Sequence, residues 1–187
     1  ASDVYKRQML QKTINALKLN KNDGDYSNLE ENWSPVIRIP VTARIPENYI
    51  KDSALRLSFY RRLSNFESQL QLESLLAELI DRFGKIPKDV INLANILKIK
   101  EKCKLLEIES LEVGTKGITF KFREGKVENI SGLLAFIESD KSNIKPSNNK
   151  LFIKTNKGNP LKTSYNVLKN MEKFLKKEAP SKEGASY

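Results

Sequence analysis

The sequence predicts an α+β fold: an N-terminal three-helix subdomain with an edge strand, followed by a small sheet of hairpins packed with two helices. Three observations predict it. Between residues 53 and 106, apolar residues recur at helical spacing in three successive stretches. After Glu107 the pattern shifts to alternation broken by glycine and asparagine turns. Two further helical patterns lie within that second half. The implied division is residues 1–35 as an N-terminal helix and connector, 36–177 as one domain and 178–187 as a disordered tail. Within the domain, 36–106 reads as mostly helical and 107–177 as α/β.

Residues 1–8 open without methionine, which predicts a piece of a longer protein with a partly non-native start. Met9 to Leu19 reads as a short helix, and Lys18 to Trp33 as a polar connector anchored by Trp33. Val36 to Ile45 alternates as a strand, which Pro40 confines to a sheet edge or splits in two. Asp52 or Ser53 caps the first helix, whose stripe is Leu55, Phe59, Tyr60, Leu63 and Phe66. Arg56, Arg61 and Arg62 decorate it as a solvated face or as local pairs to acidic side chains.

The second helix carries Leu72, Leu75, Leu76, Leu79, Ile80 and Phe83 along one stripe. Gly84 suits the left-handed position that ends it. Opposite the stripe, Glu78 and Asp81 form an outward acidic pair beside Arg82. Such a pair on a packed helix fits a docking surface for a basic partner, against the plainer reading of a solvated face. The third helix runs from Pro87 to about Leu106, with Val90, Ala94, Leu97 and Cys103 on one side and Ile91, Ile96, Ile99 and Leu106 widening the stripe. Cys103 reads as an inert core thiol.

Ile108 to Val113 and Gly117 to Phe122 predict a hairpin. Val127 to Ser139 reads as a helix through Ile130, Leu133, Leu134 and Ile137. Ile144 to Pro146 and Lys150 to Thr155 predict a second hairpin around Asn148 and Asn149. Pro160 to Lys177 is the last helix.

Several chemistries find no parts here. With no histidine and one cysteine, the chain has no Ser-His-Asp device, no His/Cys metal cluster and no internal disulfide, which suits a cytoplasmic setting. It has no phosphate-binding loop and no apolar run of the ~20 residues a membrane helix needs. Catalysis by this chain alone is not expected, and it needs no cofactor of its own. Charge is uneven: residues 1–84 hold 12 basic and 11 acidic residues, and 85–187 hold 21 and 12, so nearly all of the net +10 lies in the second half. An alternative function is therefore a basic nucleic-acid-binding module, and the motor it would assist is implied only by a family resemblance. Against it, the lysines are scattered along the chain and few aromatics are interleaved among them.

One stretch resembles a known family. The combination of Ile45-Pro46-Glu47, Arg56-Leu57-Ser58-Phe59-Tyr60 and Glu78-Leu79-Ile80-Asp81-Arg82-Phe83-Gly84 is similar to the C-terminal domain of bacterial transcription-repair coupling factors, the Mfd or TRCF family. The likeness is specific from Ile37 to Leu106 and lies more in order and pattern from Glu107 to Phe174. Lys51 departs from it, standing where the family often has proline. The resemblance implies a whole protein that is an ATP-driven translocase on double-stranded DNA. Such a protein displaces stalled RNA polymerase and recruits UvrA, with ATP and Mg handled by motor domains outside these residues. It implies that this domain is a non-catalytic, autoinhibitory clamp covering a UvrB-like N-terminal module of the same protein. Glu78 and Asp81 match acidic positions that face arginines of that module, and Arg82 falls in the same motif.

Overall fold

The computed structural model describes residues 33–176. The helix expected over 9–19, most of the connector and the polar tail lie outside them. The α+β class is as expected. Strand β1 (Val36–Arg38) is followed by helices α1 (Ser53–Ser64), α2 (Gln69–Phe83) and α3 (Lys88–Leu105). Then come β2 (Ile108–Val113), β3 (Gly117–Phe122), α4 (Ile130–Ser139), β4 (Ile144–Ser147), β5 (Lys150–Lys154) and α5 (Pro160–Leu175). The strands form one five-stranded sheet in the order β1-β2-β3-β5-β4. The β1 pairing is parallel and the others are antiparallel.

The edge strand is shorter than its alternation suggested, and it joins the sheet of hairpins instead of standing with the three helices. Pro40 has no N–H to offer a ladder, so pairing stops after Arg38. The segment beyond it satisfies its backbone elsewhere. Asn92 donates to the Thr42 carbonyl (2.9 Å), Arg44 N–H to the Asp89 carbonyl (3.2 Å), and Ile45 N–H to the Tyr60 hydroxyl (2.6 Å). Each bond replaces a strand partner with a group from α1 or α3.

Local chemistry sets the helix ends. Asp52 is the cap of α1, accepting from Leu55 N–H at 2.7 Å. Ser68 caps α2, and Gly84 ends it at φ +83°, a conformation that costs glycine little. Helix α4 starts at Ile130, later than its apolar pattern suggested, because Asn129 accepts from Gly132 N–H at 2.8 Å and fixes the cap there. Asn159 caps α5, with Pro160 in its first turn.

Two cores result. Ile45, Ile50, Phe59, Leu63, Leu72, Leu75, Leu79, Val90 and Ala94 fill the helical one. The other lies between one face of the sheet and α3, α4 and α5, around Ile99, Cys103, Leu111, Phe120, Leu151, Phe136, Leu168 and Met171. Helix α3 belongs to both. Its first half packs Val90 and Ala94 into the helical core, and its second half packs Ile99 and Cys103 under the sheet. Burial in that second core pushes the Cys103 thiol up to about 12, so it stays protonated and inert.

The helical stripes were read too wide. Ile80, Ile91, Ile130 and Leu134 remain 53%, 48%, 54% and 56% exposed. Each of these helices meets its neighbours along a narrower line than its apolar arc. In α4 the buried residue is Phe136, which the spacing had not singled out.

Candidate functional site

Helices α1 and α2 lie side by side, and the side chains between them form the candidate site. Phe59 of α1 and Phe83 of α2 meet edge to face, with ring centroids 5.8 Å apart. Two guanidinium groups cover this aromatic floor. Arg62 sits 5.0 Å from the Phe59 centroid, and Arg82 sits 5.4 Å from Phe59 and 5.2 Å from Phe83. Between them lies the Glu78 carboxylate. Arg62 grips both of its oxygens, one at 2.9 Å, and Arg82 donates to it at 3.0 Å.

The structure therefore separates the three residues that the sequence had put together on one outward face. Glu78 is turned toward α1 and held by two arginines. Arg82 is one of those arginines. Asp81 is exposed, one residue along, and takes no hydrogen bond or ion pair among the described residues. The Arg82 contact was legible in the sequence, because residues four apart on a helix are neighbours. The Arg62 contact was not: it lies 16 residues away and needs α1 docked against α2.

The electrostatics follow from this geometry. Hydrogen bonds from Arg62, then from Arg82, hold the Glu78 carboxyl down at about 2, and the same contact raises Arg62. A carboxylate depressed in the folded state stabilises the fold at pH values above its ordinary 4.5, and that contribution disappears as pH falls toward 2. Glu78→Gln should lower the melting temperature by a few degrees at pH 7, and the gap to the parent should close near pH 2. Melting curves across that range check it; a gap independent of pH would mean that the charge is not what matters.

An open groove lies between the α1–α2 connection, α3 and α5, lined by Phe66, Lys98, Leu105 and Tyr165 and crossed by Lys102 and Glu172. Glu172 pairs with Lys102 at 2.6 Å and with Lys176 at 3.0 Å. Among the described residues, no group of three or more His, Cys, Asp or Glu side chains could hold a metal ion. No described helix is long and apolar enough to cross a membrane. Trp33 packs against Arg123, whose guanidinium lies 4.4 Å from its ring, as an anchor for the chain entering the sheet.

Comparison with known proteins places the chain. The family model of the TRCF domain matches residues 39–133, which include α1, α2 and their arginine–carboxylate cluster. The chain is 38% identical over 141 residues to the transcription-repair-coupling factor of Rickettsia bellii (strain RML369-C), spanning 74% of this chain and 12% of that protein. It is 35% identical over 155 residues to the same factor of Rickettsia prowazekii (strain Madrid E), covering 82% and 13%. With the Escherichia coli (strain K12) factor the identity is 28% over 131 residues, covering 70% and 11%. The chain thus spans only about an eighth of these relatives. The crystal structure of the C-terminal domain of transcription-repair coupling factor superposes with a TM-score of 0.63 at 19% identity, covering 76% of this chain and 92% of that one, and so shares the fold. The family match, the identities and the common fold agree, and this chain belongs to the TRCF domain family of transcription-repair coupling factors.

Proposed function

We propose that this chain is the autoinhibitory C-terminal domain of a transcription-repair coupling factor, non-catalytic in itself. In the resting protein it covers a UvrB-like N-terminal module and masks the surface that recruits UvrA. The parent protein works in the cytoplasm as a translocase on double-stranded DNA that removes stalled RNA polymerase. Its ATP and Mg are handled by motor domains outside these residues.

The observation that carries the clamp is the state of Asp81. It stands exposed and without an ion-pair partner among the described residues, on a helix whose flank carries the Arg62–Glu78–Arg82 cluster. A free carboxylate on a rigid element supplies a fixed acceptor for an arginine of the covered module, at little ordering cost. Glu78 ties Arg62 and Arg82 to itself and cancels one of their two charges, which lessens their repulsion of that arginine. Glu78 and Arg82 therefore shape the surface, and Asp81 makes the contact.

The test uses the full-length protein without RNA polymerase. Asp81→Arg should raise UvrA affinity about fivefold or more, since losing a desolvated charge contact at an interface costs ~2–5 kcal/mol. Its melting temperature should stay at the parent value. Glu124→Arg, the same charge change at an exposed position before α4, should leave UvrA affinity alone. Unchanged affinity in the Asp81 variant would remove this residue from the clamp, and an equal gain from both variants would reduce the effect to net charge.

A further inference from the structure

We propose that the open face of β3, β5 and β4 is a docking surface for single-stranded nucleic acid. One face of the sheet is covered: Ile118, Phe120, Phe122, Leu151, Ile153 and Ile144 point into the core with the helices. Alternation along each strand then puts the intervening residues on the other face. The register aligns them in rungs. Lys121 stands opposite Lys150, which stands opposite Ser147. Thr119 stands opposite Phe152, which stands opposite Lys145. Gly117 stands opposite Lys154. Four lysines therefore surround one phenylalanine, and β3, β4 and β5 contain no acidic residue.

Two of these lysines have partners among the described residues and two do not. Lys121 has Glu109 beside it at 3.1 Å, and Lys145 donates to the Lys141 carbonyl. Lys150 and Lys154 take no partner among the described residues. Lys145 and Pro146 on the edge strand β4 are explained by protection against edge-to-edge pairing. That explanation fails for the others, because β3 and β5 are interior strands. Like charges directly opposite each other, as Lys121 and Lys150 are, destabilise a sheet. A bound polyanion relieves that repulsion.

Three features select a single strand over other anions. Phe152 is half-buried, its ring lying over Gly117, where an added Cβ would come within 2.9 Å of the ring. The ring thus stands in the middle of the face, where a base can stack on it. Among the described residues the face consists of strands, with no helix projecting from it to enter a duplex groove. Its cations are all lysines, point charges suited to phosphates and without the arginine fork that matches carboxylates of an acidic protein. Outward residues along β5 are ~6.7 Å apart, at two strand steps, so Lys150, Phe152 and Lys154 present charge, ring and charge in one line.

The test is fluorescence anisotropy of the 187-residue chain with a labelled oligothymidylate of about 12 nucleotides across a salt series, with a duplex of the same length and poly-glutamate as competitors. We expect binding that weakens with salt, with a log–log slope of ~0.7 per phosphate contact. The double variant Lys150→Glu/Lys154→Glu should lose about tenfold in affinity and about two contacts of salt slope. Lys150→Gln/Lys154→Gln should show the same loss of slope. Phe152→Leu keeps an apolar cover on Gly117 and removes the stacking surface; it should lose about fivefold with the slope unchanged. Lys162→Glu/Lys169→Glu on α5, of equal charge change, should lose much less. Equal loss from that control, tighter binding to duplex or to poly-glutamate, or no binding at low salt would each overturn the proposal. None of these outcomes touches Asp81 or the clamp.

Discussion

Phe59→Ala should lower the unfolding free energy by about 3–5 kcal/mol, as large-to-small changes at fully buried aromatics do. Phe59 is 0% exposed, so the substitution leaves a cavity and not a dent in the surface. It also removes the partner of Phe83 and the ring beneath both Arg62 and Arg82. The cluster that orients the α2 face loses its floor in the same step. For a domain of this size the melting temperature should fall by about 10 °C or more. A chemical denaturation curve measures the energy directly. A loss below ~1 kcal/mol would mean that the helices collapse to fill the gap.

Phe120→Ala should cost about the same, 3–5 kcal/mol, from the other core. Phe120 is also 0% exposed. It sits at the centre of β3, opposite Leu111 on β2 and Leu151 on β5, so its removal opens a hole between three strands. The two substitutions together probe how the halves are joined. Helix α3 puts Val90 and Ala94 in one core and Ile99 and Cys103 in the other. β1 enters the sheet before the chain has built its helices. Unfolding either half frees one end of α3 and exposes its apolar side chains. The expected result is a single cooperative transition in both variants, followed by fluorescence of Trp33 in the sheet half and by hydrogen exchange in α2. Two separated transitions in either variant would show that the halves fold independently and that α3 does not couple them.

The sequence by itself determined much of this protein. The α+β class, the three helices in series and both hairpins were legible, because each rests on local periods and on turn residues such as Gly84 and the Asn148–Asn149 pair. Gly84 could be read as a helix end, and the start of α1 could be narrowed to Asp52 or Ser53, because a cap is chosen by the residues next to it. The family was legible in α1 and α2, where three short motifs stand in order.

What only the tertiary structure decided are the matters that depend on residues far apart in the chain. Arg62 reaches Glu78 across two helices and takes it out of the acidic pair, leaving Asp81 without a partner among the described residues. β1 pairs with β2 across 74 positions, which no local pattern signals. The narrower contact lines left Ile80 and Leu134 half exposed, because apolar spacing states which residues share a face and not how much of that face a neighbour covers. The lysines illustrate the same limit. At 121, 145, 150 and 154 they look dispersed, and strand register alone gathers them around Phe152. A single-residue slip of any strand would turn its lysines to the other face.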